Sequence, residues 1–292
     1  MTLNDALTRF TQAKSDGSTI CVEDYGGVGK NLIIAHATGF CARMYLPMAI
    51  ELRKHFHCYG IDARNHGGSS AQSDSDANWD NYADDILDAI EQISDDPWVG
   101  FGHSYGGAAI LLAEQKSPGR FASLYLYEPI VMEPAQGDDR DEPDTENPLS
   151  RTALRRREMF ATRLEAEMNF ASKYPMATFE PIVRDLYLEA GLTRGLDGKL
   201  HLSCPRDYES RVYAYARCHH AYEKLNCVSA KVAFVAGETS LDFDISHQQH
   251  LSMLTPNSTS TYVDNLGHFG PFENSHRVAT HVIATMSEFD TV

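Results

Sequence analysis

Residues 100–107 read GFGHSYGG, with a serine at 104 fenced by glycines at 102 and 106. The pattern G-x-S-x-G is weak on its own, so its surroundings decide the reading. An apolar, β-prone run, WVGFGHS (98–104), ends at this point, and a helix-prone run, YGGAAILLAEQ (105–115), begins directly after it. A serine at such a junction sits in a sharp turn with strained dihedrals, its hydroxyl pushed above the carboxyl edge of a sheet. Side chains two residues to either side would collide with neighbouring backbone. Glycine at 102 and 106 removes that clash, and Gly107 lets the helix pack close to the sheet. The first N–H groups and the positive dipole end of the helix also stabilise negative charge developing beside Ser104. The plain alternative is a Gly-rich strand-to-helix turn with Ser104 as its N-cap.

Outward from this turn, short apolar runs alternate with helix-length amphipathic segments, the pattern of a mostly parallel sheet with helices on its faces. The expected strands are 18–25, 31–37, 57–63, 98–104, 122–128, 231–237 and 260–265. Helices are expected over 43–55, 80–93, 105–116, 245–254 and 275–288. The stretch YGGVGKN (25–31) lacks the full phosphate-loop pattern and precedes a strand, so it reads as a hairpin turn.

One long segment, about 129–228, interrupts the rhythm. It opens with EPAQGDDRDEPDTENP (133–148), too acidic and Pro-rich to pack, which predicts a solvated loop. Beyond it, Met159, Phe160, Leu164, Met168 and Phe170 recur at near-helical spacing. The expected organisation is a core of 1–128 and 229–292 with a helical insertion, 129–228, between two strands of the sheet. The chain shows no internal repeat.

Composition bounds the partners. At 292 residues and 42% hydrophobic content the chain suits a single elaborated domain. A formal charge of -16 argues against nucleic acid or an anionic membrane surface, since phosphates repel such a protein. The six cysteines are scattered without a C-x-x-C pair, as expected of reduced thiols. The first ten residues lack the features of a signal peptide, and no apolar run approaches a membrane span. These features together predict a cytoplasmic protein, and they leave its oligomeric state open.

Four segments in order resemble the α/β-hydrolase superfamily of the type with an inserted helical cap. HATGF (36–40) stands where that family has H-G-x-P or H-G-x-x-G. DARNHGGS (62–69) is similar to D-x-R-G-H-G-x-S, with Asn65 in place of a glycine. GHSYGG (102–107) matches the nucleophile elbow, and LGHFGPFE (266–273) matches the segment carrying the catalytic histidine. The resemblance spans the chain and implies an α/β-hydrolase fold: a mostly parallel central sheet flanked by helices, with a cap.

A serine hydroxyl needs a base within hydrogen-bond reach, and the base needs an acid that fixes its tautomer. The resemblance implies His268 as the base. Of the other histidines, His36, His66 and His103 lie in the motifs with turn-shaping places, His219 and His220 lie in the insertion, and His247 and His250 read as surface residues. The acid departs from the commonest arrangement, which puts an Asp three residues past Gly237, where this chain has Ser240. Glu128, ending the strand after the elbow helix, is the favoured acid because some family members carry it there. Asp242 or Asp244 is the fallback, and Glu238 lies nearby. The resemblance also implies an oxyanion hole from the backbone N–H groups of Thr38 and Tyr105, with Phe40 lining the pocket.

These residues point to acyl transfer to water through an acyl-enzyme on Ser104. A serine at the elbow argues against the branches that attack with Asp. No cofactor is implied, no dinucleotide fingerprint follows a strand, and no Cys or His spacing suggests zinc. The expected substrate is a small or medium carboxylic ester, its apolar acyl group roofed by Met159, Phe160, Met168, Phe170, Phe179, Tyr187, Tyr213 and Tyr215 or facing these as the cap's own packing. Two alternatives stay open: a C–C bond hydrolase or acyltransferase on the same residues, and a non-catalytic ligand receptor on the same fold.

Overall fold

The computed structural model describes residues 7–73, 77–134 and 142–291. In chain order its first half comprises β1 (Thr8–Ala13), β2 (Thr19–Gly27), β3 (Lys30–Ala35), α1 (Leu46–Leu52), β4 (Phe56–Ile61), α2 (Trp79–Ile93), β5 (Trp98–His103), α3 (Tyr105–Lys116) and β6 (Phe121–Tyr127). Then follow α4 (Pro148–Ala153), β7 (Met159–Phe160), α5 (Arg163–Ala171), α6 (Pro181–Ala190), β8 (Leu192–Arg194), β9 (Leu200–Leu202) and α7 (Arg206–Ala214). The chain ends with β10 (Lys231–Gly237), α8 (Ile245–Leu254), β11 (Ser258–Val263), α9 (Gly270–Glu273) and α10 (Ser275–Thr291).

Eight strands form one sheet in the order β1-β2-β4-β3-β5-β6-β10-β11. The strands from β4 onward pair in parallel, while β1 pairs antiparallel with β2 and β2 with β4. The β-period sorts side chains to the two faces. From β3, Leu32 and Ile34 pack with Met48 and Val278 beneath α1 and α10, while Ile33 and Ala35 pack with Ile86 and Ile110 beneath α2 and α3. Both faces are therefore covered, and the carboxyl ends of β3 to β6 are where loops can be presented.

Two expectations are corrected. The turn at 25–31 is not a hairpin, because β2 and β3 flank β4 instead of pairing with each other. The chain crosses tightly over the start of β4: a Cβ at Gly27 would lie 2.1 Å from Phe56 O, and one at Gly29 2.5 Å from His55 O. The segment after β6 is not purely helical, because β7, β8 and β9 form a small antiparallel sheet beside α4 to α7. Strands of two or three residues are too short to show an alternating pattern.

β1 was not expected either. Its sequence, TRFTQA, has one large apolar residue, as suits an exposed edge. Within the segment, Met159, Leu164 and Met168 are exposed, whereas Phe160, Phe170, Phe179 and Tyr187 are buried. Residues 135–141 of the expected acidic loop, and residues 1–6, lie outside the described residues. Among the described residues all six cysteines are free, and no helix is long and apolar enough to cross a membrane.

Candidate active site

Ser104 joins β5 to α3 with φ 56°, ψ -115°, a backbone conformation that L-residues rarely adopt. Its N–H donates to Tyr127 O (2.9 Å), which ties the turn to β6. The glycines answer to steric need. A Cβ at Gly102 would lie 2.5 Å from Gly107 Cα, and one at Gly106 would lie 2.2 Å from Ala35 O. Gly107 faces Pro129, with 2.9 Å to its Cβ, so the close approach it permits is to the loop after β6.

His268 lies in the loop between β11 and α9. Its Nε2 is 3.1 Å from Ser104 Oγ, and its Nδ1 is 2.7 Å from Glu128 Oε2. A carboxylate accepts only, so Nδ1–H donates to Glu128 and Nε2 is left to accept from the serine hydroxyl. Glu128 is 1% exposed, directly follows β6 and has φ 45°, so the acid shares the serine's positive-φ geometry. Its other oxygen, Oε1, accepts from Gly237 N–H (2.7 Å) and Ser240 Oγ–H (2.5 Å). The fallback acids are engaged elsewhere or exposed. Asp244 caps α8 through His247 N–H, Glu238 accepts from Asn265 N–H, and Asp242 is exposed.

The loop 37–40 offers four N–H groups. Ala37 N–H donates to Tyr45 Oη (3.2 Å), Gly39 N–H to His66 Nε2 (3.0 Å) and Phe40 N–H to Ala37 O (3.3 Å). Neither Thr38 N–H nor, at the first position of α3, Tyr105 N–H is engaged by a described group of the protein.

Three neutral histidines hold these loops together. His36 donates from Nδ1 to Ala37 O and accepts Ala63 N–H at Nε2. His66 donates from Nδ1 to Arg64 O and accepts Gly39 N–H at Nε2, so the two rings clasp the β3 and β4 loops reciprocally. His103 donates from Nε2 to His268 O (2.8 Å) and accepts from Tyr45 Oη–H at Nδ1 (2.7 Å). Burial pushes the His66 imidazolium down to about 4 and those of His36 and His103 well below the usual range, because charging a buried ring forfeits its hydration. Asn65, the departure from the motif, has φ 54° and uses its side chain to accept from Ala71 N–H. Asn tolerates that conformation better than most residues.

Aromatic rings wall the space beside the serine. Phe40 has Phe179, Tyr187 and Phe269 at 5.7, 6.1 and 5.9 Å, and Phe269 lies 5.0 Å from His268. The sequence reading missed Ser240, Tyr45 and the clasping roles of His36 and His66. Ser240 carried a signal, as the residue at the family's usual acid position, and His36 and His66 carried one as motif residues with turn-shaping places, though not the partners they bond. His247 and His250, expected on the surface, are half-buried, with His250 bonded to Tyr222 Oη (2.8 Å).

Residues 32–281 match the alpha/beta hydrolase family, and the chain belongs to that family. A type I acyl-CoA thioesterase of Penicillium roqueforti is 29% identical over 126 residues, 38% of this chain and 29% of that protein. An (E)-2-((N-methylformamido)methylene)succinate hydrolase of Acinetobacter baylyi is 30% identical over 80 residues, 27% of this chain and 30% of that one. The chain thus matches less than a third of the length of either relative. A solved E-2-(acetamidomethylene)succinate hydrolase shares the fold with a TM-score of 0.80 at 19% identity, covering 96% of this chain and 100% of that one.

Proposed function

We propose that this α/β hydrolase is a cofactor-independent serine hydrolase working through an acyl-enzyme on Ser104. The single observation carrying the reading is the line from Ser104 Oγ through His268 Nε2 and Nδ1 to Glu128 Oε2, at 3.1 and 2.7 Å. Ser104 Oγ attacks the acyl carbonyl carbon while its proton passes to His268 Nε2, and Glu128 stabilises the imidazolium that forms. The carbonyl oxygen, now negative, takes hydrogen bonds from Thr38 and Tyr105 N–H. Collapse expels the leaving group, which takes the proton from His268. A water then attacks the acyl-enzyme by the reverse route, releasing the acid and restoring Ser104.

The chemistry suits a carboxylic ester of small or medium acyl length. Thioesters and amides belong to the same reading, since one relative named above is a thioesterase and the substituted succinate hydrolases carry amide groups in their substrates' names. Residues 129–228 act as the cap, lending Phe179 and Tyr187 to the pocket beside Phe40. The aligned serine, histidine and acid favour turnover over ligand sensing. A fluorophosphonate probe tests the reading: it modifies Ser104 and fails to do so in His268→Ala. Labelling that is absent, or unaffected by that substitution, overturns it.

A further inference from the structure

Two guanidinium groups in this protein each hold two carboxylates at once. Arg43 donates through Nε to Glu23 (2.7 Å) and through Nη1 to Glu189 (3.0 Å). Arg64 takes Asp85 with Nε (2.8 Å) and Nη2 (3.0 Å), and Asp16 with Nη1 (2.6 Å). A planar fork with five donors suits partners on separate edges. Arg156, less exposed than the other arginines that hold one carboxylate, donates through Nη1 to Glu209 and through Nη2 to the Tyr187 hydroxyl (2.9 Å), while Nε donates to no described group.

The Arg156–Glu209 pair is seated on the loop that offers the Thr38 N–H. A Cβ at Gly39 would lie 2.6 Å from Glu209 Oε1 and 3.0 Å from Arg156 Nη1, so only glycine leaves room for both groups. Of the Arg156 side-chain surface 23% stays accessible, against 5% for Glu209. The Tyr187 hydroxyl accepts from Arg156, and its ring packs edge-on against Phe40 at 6.1 Å, which joins the guanidinium to the aromatic cluster beside His268. An ion pair among aromatics is costly compared with apolar packing, which makes an accessible guanidinium with unused donors a candidate for ligand recognition.

We propose that Arg156 is a specificity residue that takes a carboxylate on the acyl portion of the substrate, a few bonds from the scissile carbonyl. The preferred substrates are then half-esters, half-thioesters or half-amides of short dicarboxylic acids. Glu209 is the resident counterion of Arg156 and competes with the substrate's carboxylate. This inference rests on the serine-hydrolase reading above, since it places the anionic group relative to that reading's oxyanion donors.

Monoethyl succinate and ethyl 4-methylpentanoate test it, the second replacing the carboxylate by an isopropyl group of similar shape. Two ratios are read: kcat/KM for the two esters, and their affinities for Ser104→Ala protein by calorimetry, which needs no turnover. Both ratios favour the anionic ester by about tenfold or more, the size of a charge-assisted pair. Arg156→Gln collapses the preference, whereas Glu209→Gln, removing the competing anion, raises it. A purely structural ion pair would move both variants in the same direction, and that result, or a wild-type ratio near one, overturns the inference. Hydrolysis of the neutral ester without preference for the anionic one sinks this inference alone. Selective binding of the anionic ester with no hydrolysis of either sinks the serine-hydrolase reading and leaves Arg156's role standing.

Discussion

Ser240 Oγ lies 2.5 Å from Glu128 Oε1, so the residue at the usual family position of the acid bonds the carboxylate that reaches His268 from the end of β6. Two alternative seats for one charge meet at this contact. Glu128→Gln is expected to lower kcat by about 10⁴-fold, the effect of neutralising such an acid. Adding Ser240→Asp to that variant puts a carboxylate at the other seat and restores at least about tenfold of the loss. Steady-state kinetics on an activated ester reads both effects. A loss under tenfold in Glu128→Gln removes it from the catalytic set, and no recovery in the double variant shows that the seats are not equivalent.

The elbow makes a steric prediction. A methyl at position 106 would enter the space of Ala35 O at 2.2 Å, a backbone atom fixed by its parallel strand neighbours. Gly106→Ala must therefore shift the start of α3 or the end of β3. The expected cost is about 3 kcal/mol of stability, the upper range for overpacking a close contact. Urea unfolding measures it, and a midpoint equal to the parent's refutes it.

Legibility in the sequence followed the range of the physical signal. Helices α2 and α10 are legible within a few residues because long amphipathic segments announce themselves, whereas α3, buried almost all round, is legible as a helix-prone run that begins directly after the serine. The serine and histidine were legible because a steric requirement writes glycines around one and the family motif surrounds the other. Glu128 carried no local pattern, since its role depends on β6 and β10 being neighbours and on Gly237 and Ser240 converging on it. The clasp by His36 and His66 was equally hidden. It requires the β3 and β4 loops to face each other, a relation set by topology, and the misread turn at 25–31 concerned the same strand order.

Tyr45 shows how such a contact reaches the chemistry. Its hydroxyl donates to His103 Nδ1 and accepts from Ala37 N–H, while His103 in turn holds His268 O. Tyr45→Phe leaves a buried acceptor and a buried donor without partners, at a cost of about 1–3 kcal/mol. It also loosens the loops of His268 and Thr38 together. The expected signature is a fall in kcat of about tenfold or more with a smaller change in KM, since misplacing reacting groups by fractions of an ångström acts on the transition state. Equal kinetics in the variant would show that His103 is held well enough without the hydroxyl.

Acid should unfold this protein through its neutral histidines. His66 is fully buried and titrates at about 4 in the folded chain against 6.5 as its ordinary value. The unfolded chain therefore binds more protons between those values, and stability is fully present above about pH 6.5 and lost as the pH falls toward 4. From pH 7 to pH 5, His66 alone accounts for about 2 kcal/mol. His36 and His103 add losses of the same sign, while Asp62, its carboxyl pushed up to about 6 by burial, contributes in the opposite sense below that value. Replacing His66 by Gln keeps an acceptor for Gly39 N–H without a titrating ring. Denaturant unfolding across this range should then show a dependence on pH shallower by about one proton than the parent's. An unchanged slope would mean that the ring charges in place, and that the Gly39 contact does not depend on its neutrality.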